Sequence, residues 1–393
     1  MNAKKILILS DTYLPLIGGA ELYTYNLVQH LRRLNHVITI FTNTLTSGTA
    51  SDKRDLNKNI KIIRQEWMVR KNLLAAIRQF FAIYKLAKRN NIVFANYTFR
   101  LSVLAAFAAK FAGKPFFIFA HGLGTIIDKG MPLVYYLYRF ISLKLANGVI
   151  ATSSEIAEIA KKYNKKTIVA TAVDFSSIDN NLNENKIRDI RERFKGKKII
   201  LTVRRLVAKN GIQYLINTLP RIISEKKDII YIIIGDGPMK DFLKELVNKL
   251  GLENYVVFMG RVENKEAFNY IKAADVVVFP SSAEAMSLAA IETMHIRTPL
   301  VATAVGGLKE LIGEDEKCGQ LINLFDRDKS IYSAPDINNI EEEKYKLFAE
   351  KIIFALSGGE EISRKTLLAK SFVDESFDWP VVAEKILKFC NID

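Results

Sequence analysis

The stretch AADVVVFPSSAEAMSLAAIETMHIRTPLVATAVGG, residues 273–307, holds two apolar runs separated by a helical pattern. An apolar run, VVVF, ends at Pro280, a helical pattern follows from Leu288 toward His295, and a second apolar run, LVAT, begins after Pro299. Short continuous apolar runs joined through a helix are what strands covered on both faces require, so the stretch reads as strand, helix, strand in a parallel sheet. Ser287 fits the N-cap of the helix, which would aim its first free amides past the end of the preceding strand. In open parallel sheets ligands lie beyond the carboxyl ends of the strands, which puts the loop 280–287 at the candidate site.

The same plan recurs on both sides. KKIILTV, DIIYIII and NYVVFMG precede the stretch, and the first half alternates KILILS, HVITIF, NIVFANY, PFFIFA and GVIAT with helix-compatible segments such as AELYTYNLVQHLRRL. Two Rossmann-like α/β domains follow, because 393 residues exceed one typical core. The polar stretch DNNLNENKIRDIRERFKGKK (179–198) divides the two sets of strands, so the domains are expected at 1–180 and 181–372. The terminal segment 373–393 is expected to hold a last helix from about Pro380, since proline is tolerated in a first turn.

Composition narrows the function classes. The start MNAKKILILSD breaks at Ser10 and Asp11, too short for a signal peptide or a membrane span, so a cytoplasmic chain is expected. Cys318 and Cys390 are too few and too far apart for a disulfide framework or a cysteine zinc site. The net charge of +15 lies wholly in residues 1–180, which hold 25 Lys and Arg against 10 Asp and Glu. That imbalance fits an anionic acceptor or anionic lipid; no nucleic-acid module accompanies it. Basic and aromatic residues interleave at 70–90 and again at 131–147. Each segment reads either as an amphipathic helix packed on a sheet or as a site of peripheral contact with an anionic membrane.

Several strand-end loops carry candidate chemistry. Gly18 and Gly19 open a helix after the first strand and allow backbone amides to approach an anion. His121 stands at a strand end beside glycines. Arg204, Arg205 and Lys209 follow KIILTV, where a forked guanidinium and a point charge suit a diphosphate. Gly235 starts a tight turn, GDGP. Glu284, on the loop, and Glu292, more than one turn into the following helix, are placed to accept hydrogen bonds from the hydroxyls of a sugar nucleotide.

In this order GGAE, the strand-end HG, RRLVAKNG, IIGDGP, FMGRV, AADVVVFPSSAE, the second glutamate eight residues on and PLVATAVGG resemble the retaining GT-B glycosyltransferases of the "group 1", family 4 type. The resemblance covers most of the chain. It implies two Rossmann-like domains facing a central cleft, an acceptor-binding first domain, a donor-binding second domain and a C-terminal helix crossing back to the first. It implies that Arg205 and a nearby lysine, Lys209, hold the donor diphosphate, with Arg204 and Gly235 beside them. Gly260, Arg261 and Val262 would lie along the nucleobase, Glu292 would bind the ribose, and Glu284 would contact the transferred sugar. Met286, Ser287 and Leu288 would form the phosphate seat. His121 would approach the sugar, and Gly18 and Gly19 the diphosphate and acceptor. The chain departs from the family pattern at Asn210 where lysine is usual, at Met286-Ser287 where Phe-Gly is usual, and at Arg297 where glycine is common.

The expected reaction is transfer of a sugar from a nucleoside diphosphate to a hydroxyl of a lipid-linked or saccharide acceptor, with retention of anomeric configuration. Arg205, Lys209 and helix-start amides would stabilise the departing diphosphate, so neither metal nor cofactor is expected. Asp326-Arg327-Asp328 has a metal-binding form but follows no nucleotide-binding constellation and reads as a surface turn. The alternatives are a sugar-nucleotide epimerase on the same architecture, which would turn over donor without acceptor, and a non-catalytic subunit that binds sugar nucleotide. A nicotinamide oxidoreductase is disfavoured because G-x-G-x-x-G is missing.

Overall fold

A computed structural model describes residues 3–14, 19–43, 59–65, 73–96, 100–121, 132–325 and 339–392. The first sheet contains β1 (Lys5–Ser10), β2 (Val37–Asn43), β3 (Ile60–Gln65), β4 (Ile92–Asn96), β5 (Phe116–Ala120), β6 (Gly148–Ala151) and β7 (Thr167–Val169). Their order is β3-β2-β1-β4-β5-β6-β7, every pairing parallel. The second sheet contains β8 (Lys198–Val203), β9 (Ile229–Ile234), β10 (Val256–Gly260), β11 (Val276–Phe279), β12 (Leu300–Thr303) and β13 (Gln320–Ile322), ordered β10-β9-β8-β11-β12-β13 and again parallel. The apolar runs become central strands because helices cover both faces: β4, β5, β9 and β11 are buried at every residue. In each sheet the strand order reverses beside the first strand, between β1 and β4 and between β8 and β11. A topological switch point of this kind opens a crevice at the strand ends.

The chain forms two compact units, Met1–Ala172 with Trp379–Asp393, and Val173–Asp378. The divisions therefore fall at 172/173 and 378/379, not at 180/181 and 372/373. The reason is packing. Phe175 and Ile178, on the helix Phe175–Asn181, are buried in the core of the second unit, and the helix Glu360–Phe377 continues past residue 372. The Val173 amide donates to the Phe377 carbonyl at 2.8 Å, joining the two chain segments at that edge of the second unit. The polar stretch 179–198 is no linker either. It contains a helix, Glu184–Arg193, capped by Asn183, whose Oδ1 accepts from the amides of Asn185 and Lys186.

The terminal helix Trp379–Phe389 belongs to the first unit, with Pro380 in its first turn. Trp379 is buried with its ring 4.9 Å from Tyr23 and stacked on His30 at 5.4 Å. Phe389 lies against Gly148 of β6, where a Cβ would come within 2.5 Å of the ring. Three further helices of this unit, Leu73–Lys88, Arg100–Phe111 and Leu133–Leu145, connect β3 to β4, β4 to β5 and β5 to β6. Right-handed crossovers running in one direction across the sheet put all three on the same face.

Candidate active site

The second unit gathers its candidate residues where β8 and β11 lie side by side. Arg204 is the first residue beyond β8. Its Nη1 donates to Ser281 Oγ at 2.7 Å, its Nη2 pairs with Glu284 Oε2, and the guanidinium carbon stands 5.4 Å from the Phe279 ring centroid. The Arg204 and Glu284 side chains are only 11% and 13% exposed. The pair thus joins the ends of the two strands that flank the switch point, and Arg204 is held by Glu284 and Ser281. Arg205, the next residue, is exposed, as is Lys209 on the same loop. Both members of the pair are legible in the sequence, but their pairing is not. They are 80 residues apart, and only the strand order brings them together.

The backbone around this pair is close-fitted. Gly211 has φ +73°, and a Cβ there would lie 1.8 Å from the Pro280 carbonyl oxygen. Gly235 has φ +145°, and a Cβ there would lie 1.8 Å from the Arg204 carbonyl oxygen. Only glycine meets both demands, a left-handed φ and no side chain. The Gly235 amide donates to the Gly260 carbonyl at 2.8 Å, so the end of β10 is tied to the turn after β9. Arg261 beyond it is exposed and Val262 half-buried. Asn210, where the family pattern has lysine, is buried, and its Nδ2 donates to the Arg205 carbonyl at 2.7 Å. It holds the loop that presents Arg205. The Ser282 amide donates to the Lys209 carbonyl at 2.8 Å, closing this loop onto the one carrying Glu284.

Ser287 caps the helix Leu288–Ile296, its Oγ accepting from the Ala290 amide at 3.3 Å. The amides of Leu288 and Ala289 are then the forward donors of the helix, since a first turn has no carbonyl to receive them. Leu288 is exposed at this mouth, and Met286 packs against the backbone at Gly307, whose amide donates to the Glu284 carbonyl at 3.3 Å. Glu292 sits in the second turn, where burial pushes its carboxyl up to about 7. A carboxyl in this range is held partly protonated by its surroundings and is a functional-site candidate on physical grounds. The helix ends at Arg297, in the left-handed region at φ 65°, ψ 36°. That conformation is the physical reason for a preferred glycine at this position.

In the first unit Gly19 opens the helix Gly19–Arg33, while Gly18 lies outside the described residues. His121 follows β5, its ring centroid 5.1 Å from that of Tyr23 and 6.0 Å from that of Phe119. Burial lowers the imidazole to about 4, so it is neutral at physiological pH. Asp326-Arg327-Asp328 also lies outside the described residues, as do residues 70–72 and 131 of the two basic-aromatic segments. Among the described residues no group of three or more His, Cys, Asp or Glu is arranged to hold a metal ion.

Two family profiles match the chain, "Glycosyltransferase Family 4" over residues 17–176 and "Glycosyl transferases group 1" over residues 183–334. An alpha-monoglucosyldiacylglycerol synthase of Streptococcus pneumoniae is 24% identical over 380 residues, covering 88% of this chain and 83% of that protein. A human phosphatidylinositol N-acetylglucosaminyltransferase subunit is 26% identical over 392 residues, covering 98% of this chain and 75% of that protein. Among solved structures, Anabaena Alr3699/HepE in complex with UDP superposes with a TM-score of 0.77 at 20% identity, covering 98% of this chain and 99% of that one. With two parallel sheets and paired profiles spanning both units, the chain belongs to the group 1, family 4 glycosyltransferases and has the GT-B fold.

Proposed function

We propose that this glycosyltransferase moves a sugar from a nucleoside diphosphate to a hydroxyl of a lipid-linked or saccharide acceptor, with retention of configuration and without a metal, in cell-envelope glycan or glycolipid synthesis on the cytoplasmic side. The observation that carries the reading is the junction of β8 and β11. There the Arg204–Glu284 pair joins the two strand ends, Arg205 and Lys209 stand exposed on the loop after β8, and the capped helix after β11 carries Glu292, whose carboxyl burial raises to about 7. In this reading Arg205, Lys209 and the amides of Leu288 and Ala289 take up the charge that grows on the leaving diphosphate. Glu284 accepts from a hydroxyl of the transferred sugar, its orientation set by Arg204. Glu292 accepts from the ribose, and Gly260 to Val262 flank the base. His121, neutral, can accept or donate one hydrogen bond to the sugar without adding charge. The lipid acceptor class is supported by the names of the streptococcal and human relatives, and uridine diphosphate as the first donor to try by the Anabaena complex.

The test is calorimetric titration with UDP, GDP and ADP, followed by incubation of the matching sugar nucleotides with diacylglycerol, phosphoinositide and oligosaccharide acceptors, with and without EDTA. Selective binding of one nucleotide and an EDTA-insensitive product with the donor's anomeric configuration are expected. Turnover of the donor with no acceptor present would instead identify an epimerase, and nucleotide binding without any turnover would identify a subunit that is not catalytic.

A further inference from the structure

The helices Leu73–Lys88, Arg100–Phe111 and Leu133–Leu145 pack side by side on one face of the first sheet. Each buries an inner side, represented by Ile83, Ala105 and Leu143 at 0% exposure. The outer side of a helix that meets water is normally polar. Here it is not. Leu74, Ile77 and Phe81 recur at helical spacing on the first helix and are 67%, 43% and 53% exposed. Phe107 and Phe111, one turn apart on the second, are 39% and 71% exposed. Leu133, Leu137 and Phe140 form a third row at 83%, 53% and 48%. The helices carrying these rows are packed neighbours, and between the first two the Phe111 ring lies edge-on to Phe80, the residue next to Phe81, at 6.1 Å. Single exposed apolar side chains are ordinary, whereas contiguous rows on adjacent elements mark an interaction surface.

Charge selects the occupant. The three helices contain no Asp or Glu, and Arg78, Lys85, Lys88, Lys110 and Lys144 stand exposed among or beside the apolar rows. An interface with another protein of mixed charge gives no reason for so one-sided a face. A plane of anionic headgroups does, because apolar rows can enter the acyl boundary while long cationic side chains remain at the phosphates. No helix among the described residues is long and apolar enough to cross a membrane, so the geometry is one of lying on the surface. We propose that the outer face of this three-helix layer docks on an anionic lipid bilayer. The proposal gives a lipid acceptor a physical route to the enzyme, yet it stands on residues separate from the nucleotide site.

The experiment is sedimentation of the full chain with vesicles of pure phosphatidylcholine or of an equal phosphatidylcholine–phosphatidylglycerol mixture, at rising salt. Binding to the mixed vesicles, weakening as salt screens the headgroup charge, is expected. Combined Arg78→Gln, Lys85→Gln and Lys88→Gln substitutions should lower partitioning about 100-fold, from roughly fivefold per cation. Combined Phe111→Ser, Leu133→Ser and Leu137→Ser should lower it at least as far while leaving nucleotide affinity unchanged. Nucleotide affinity is measured on the same samples, so loss of donor binding and loss of docking are told apart. Absence of wild-type binding to mixed vesicles at low salt would overturn the proposal, as would equal binding by all three proteins. So would a wild-type dimer that the serine variant makes monomeric without change in vesicle binding, which would assign the face to a second copy of the chain. Should the serine variant fail to fold, the glutamine variant, altered only at exposed cations, decides the question alone.

Discussion

Arg204 and Glu284 show how one contact can serve both stability and chemistry. Removing the guanidinium by Arg204→Met leaves a largely buried carboxylate without its partner, an effect of about 3 kcal/mol or more. Adding Glu284→Gln removes the stranded charge. The double variant should therefore recover much of the loss in urea denaturation, and strictly additive losses would show that the two side chains do not act as a pair. Glu292 makes a pH prediction. Its carboxyl is raised from 4.5 to about 7, so its contribution to stability is full below 4.5 and is lost as pH rises through 7. A ribose hydroxyl, in contrast, prefers the ionised form. Nucleotide affinity should climb as pH rises through about 7 in calorimetric titrations. Glu292→Gln should abolish that climb, weaken binding about tenfold through loss of a charge-assisted hydrogen bond, and raise the alkaline melting temperature. Arg297 is simpler. Its left-handed φ of 65° carries strain of order 1 kcal/mol for a side chain with a Cβ. Arg297→Gly should raise the urea midpoint by the equivalent of about 1 kcal/mol with an unchanged m-value, and a lowered midpoint would show that the arginine side chain contributes more than its backbone costs.

At the scale of elements, the site is a set of strand-end loops locked to one another as well as to their own helices. Ser282 is tied to Lys209, Leu206 to Asp236, Gly235 to Gly260, and Gly307 to Glu284, so the loops after β8, β9, β11 and β12, together with the end of β10, form a single backbone network. A change in one loop should therefore reach residues on another. Gly235→Ala would press a Cβ into the Arg204 carbonyl, which precedes Arg205 in the same turn. The expected result is a destabilisation of at least about 2 kcal/mol together with weaker nucleotide binding, although residue 235 bears no side chain of its own. Normal nucleotide affinity in that variant would show that the turn after β9 and the cations after β8 are independent. The three-helix layer of the first unit obeys the complementary logic. Its inner faces are set by packing on the sheet, which leaves the outer rows free to carry a second role.

Across the whole molecule, the two units own separate cores. Trp379, Phe94 and Phe119 anchor the first, while Tyr214, Tyr231 and Phe348 anchor a large cluster of the second. Chains with independent cores need not unfold in one step. Scanning calorimetry should resolve two transitions, and saturating nucleotide should raise only the one belonging to Val173–Asp378, because a ligand stabilises only the folded unit that binds it. One transition that moves as a whole would mean that the units unfold together.

The fold class and the central strands are legible in the amino-acid pattern alone. Apolar runs reported β1, β2, β4, β5, β6 and β8 to β12, since a segment's hydrophobic pattern records what it will bury. It did not reveal β3, β7 or β13. The strands β7 and β13 have three residues each, and β3, IKIIRQ, is an edge strand that is nowhere fully buried, so none carries the continuous apolar signature of a covered strand. Glu284, Glu292, Ser287 and Arg205 were legible as candidates because their loops follow strong strands. Long-range packing alone turns Arg204 to Glu284, braces the loop presenting Arg205 with Asn210, divides the chain at 172/173 and 378/379, and sets the helices carrying Leu74, Phe111 and Leu133 side by side. Local periodicity specifies which face of a segment is buried. Which strand ends and which helices become neighbours is set by hydrogen bonding and packing between residues far apart in the chain, and no local pattern encodes it.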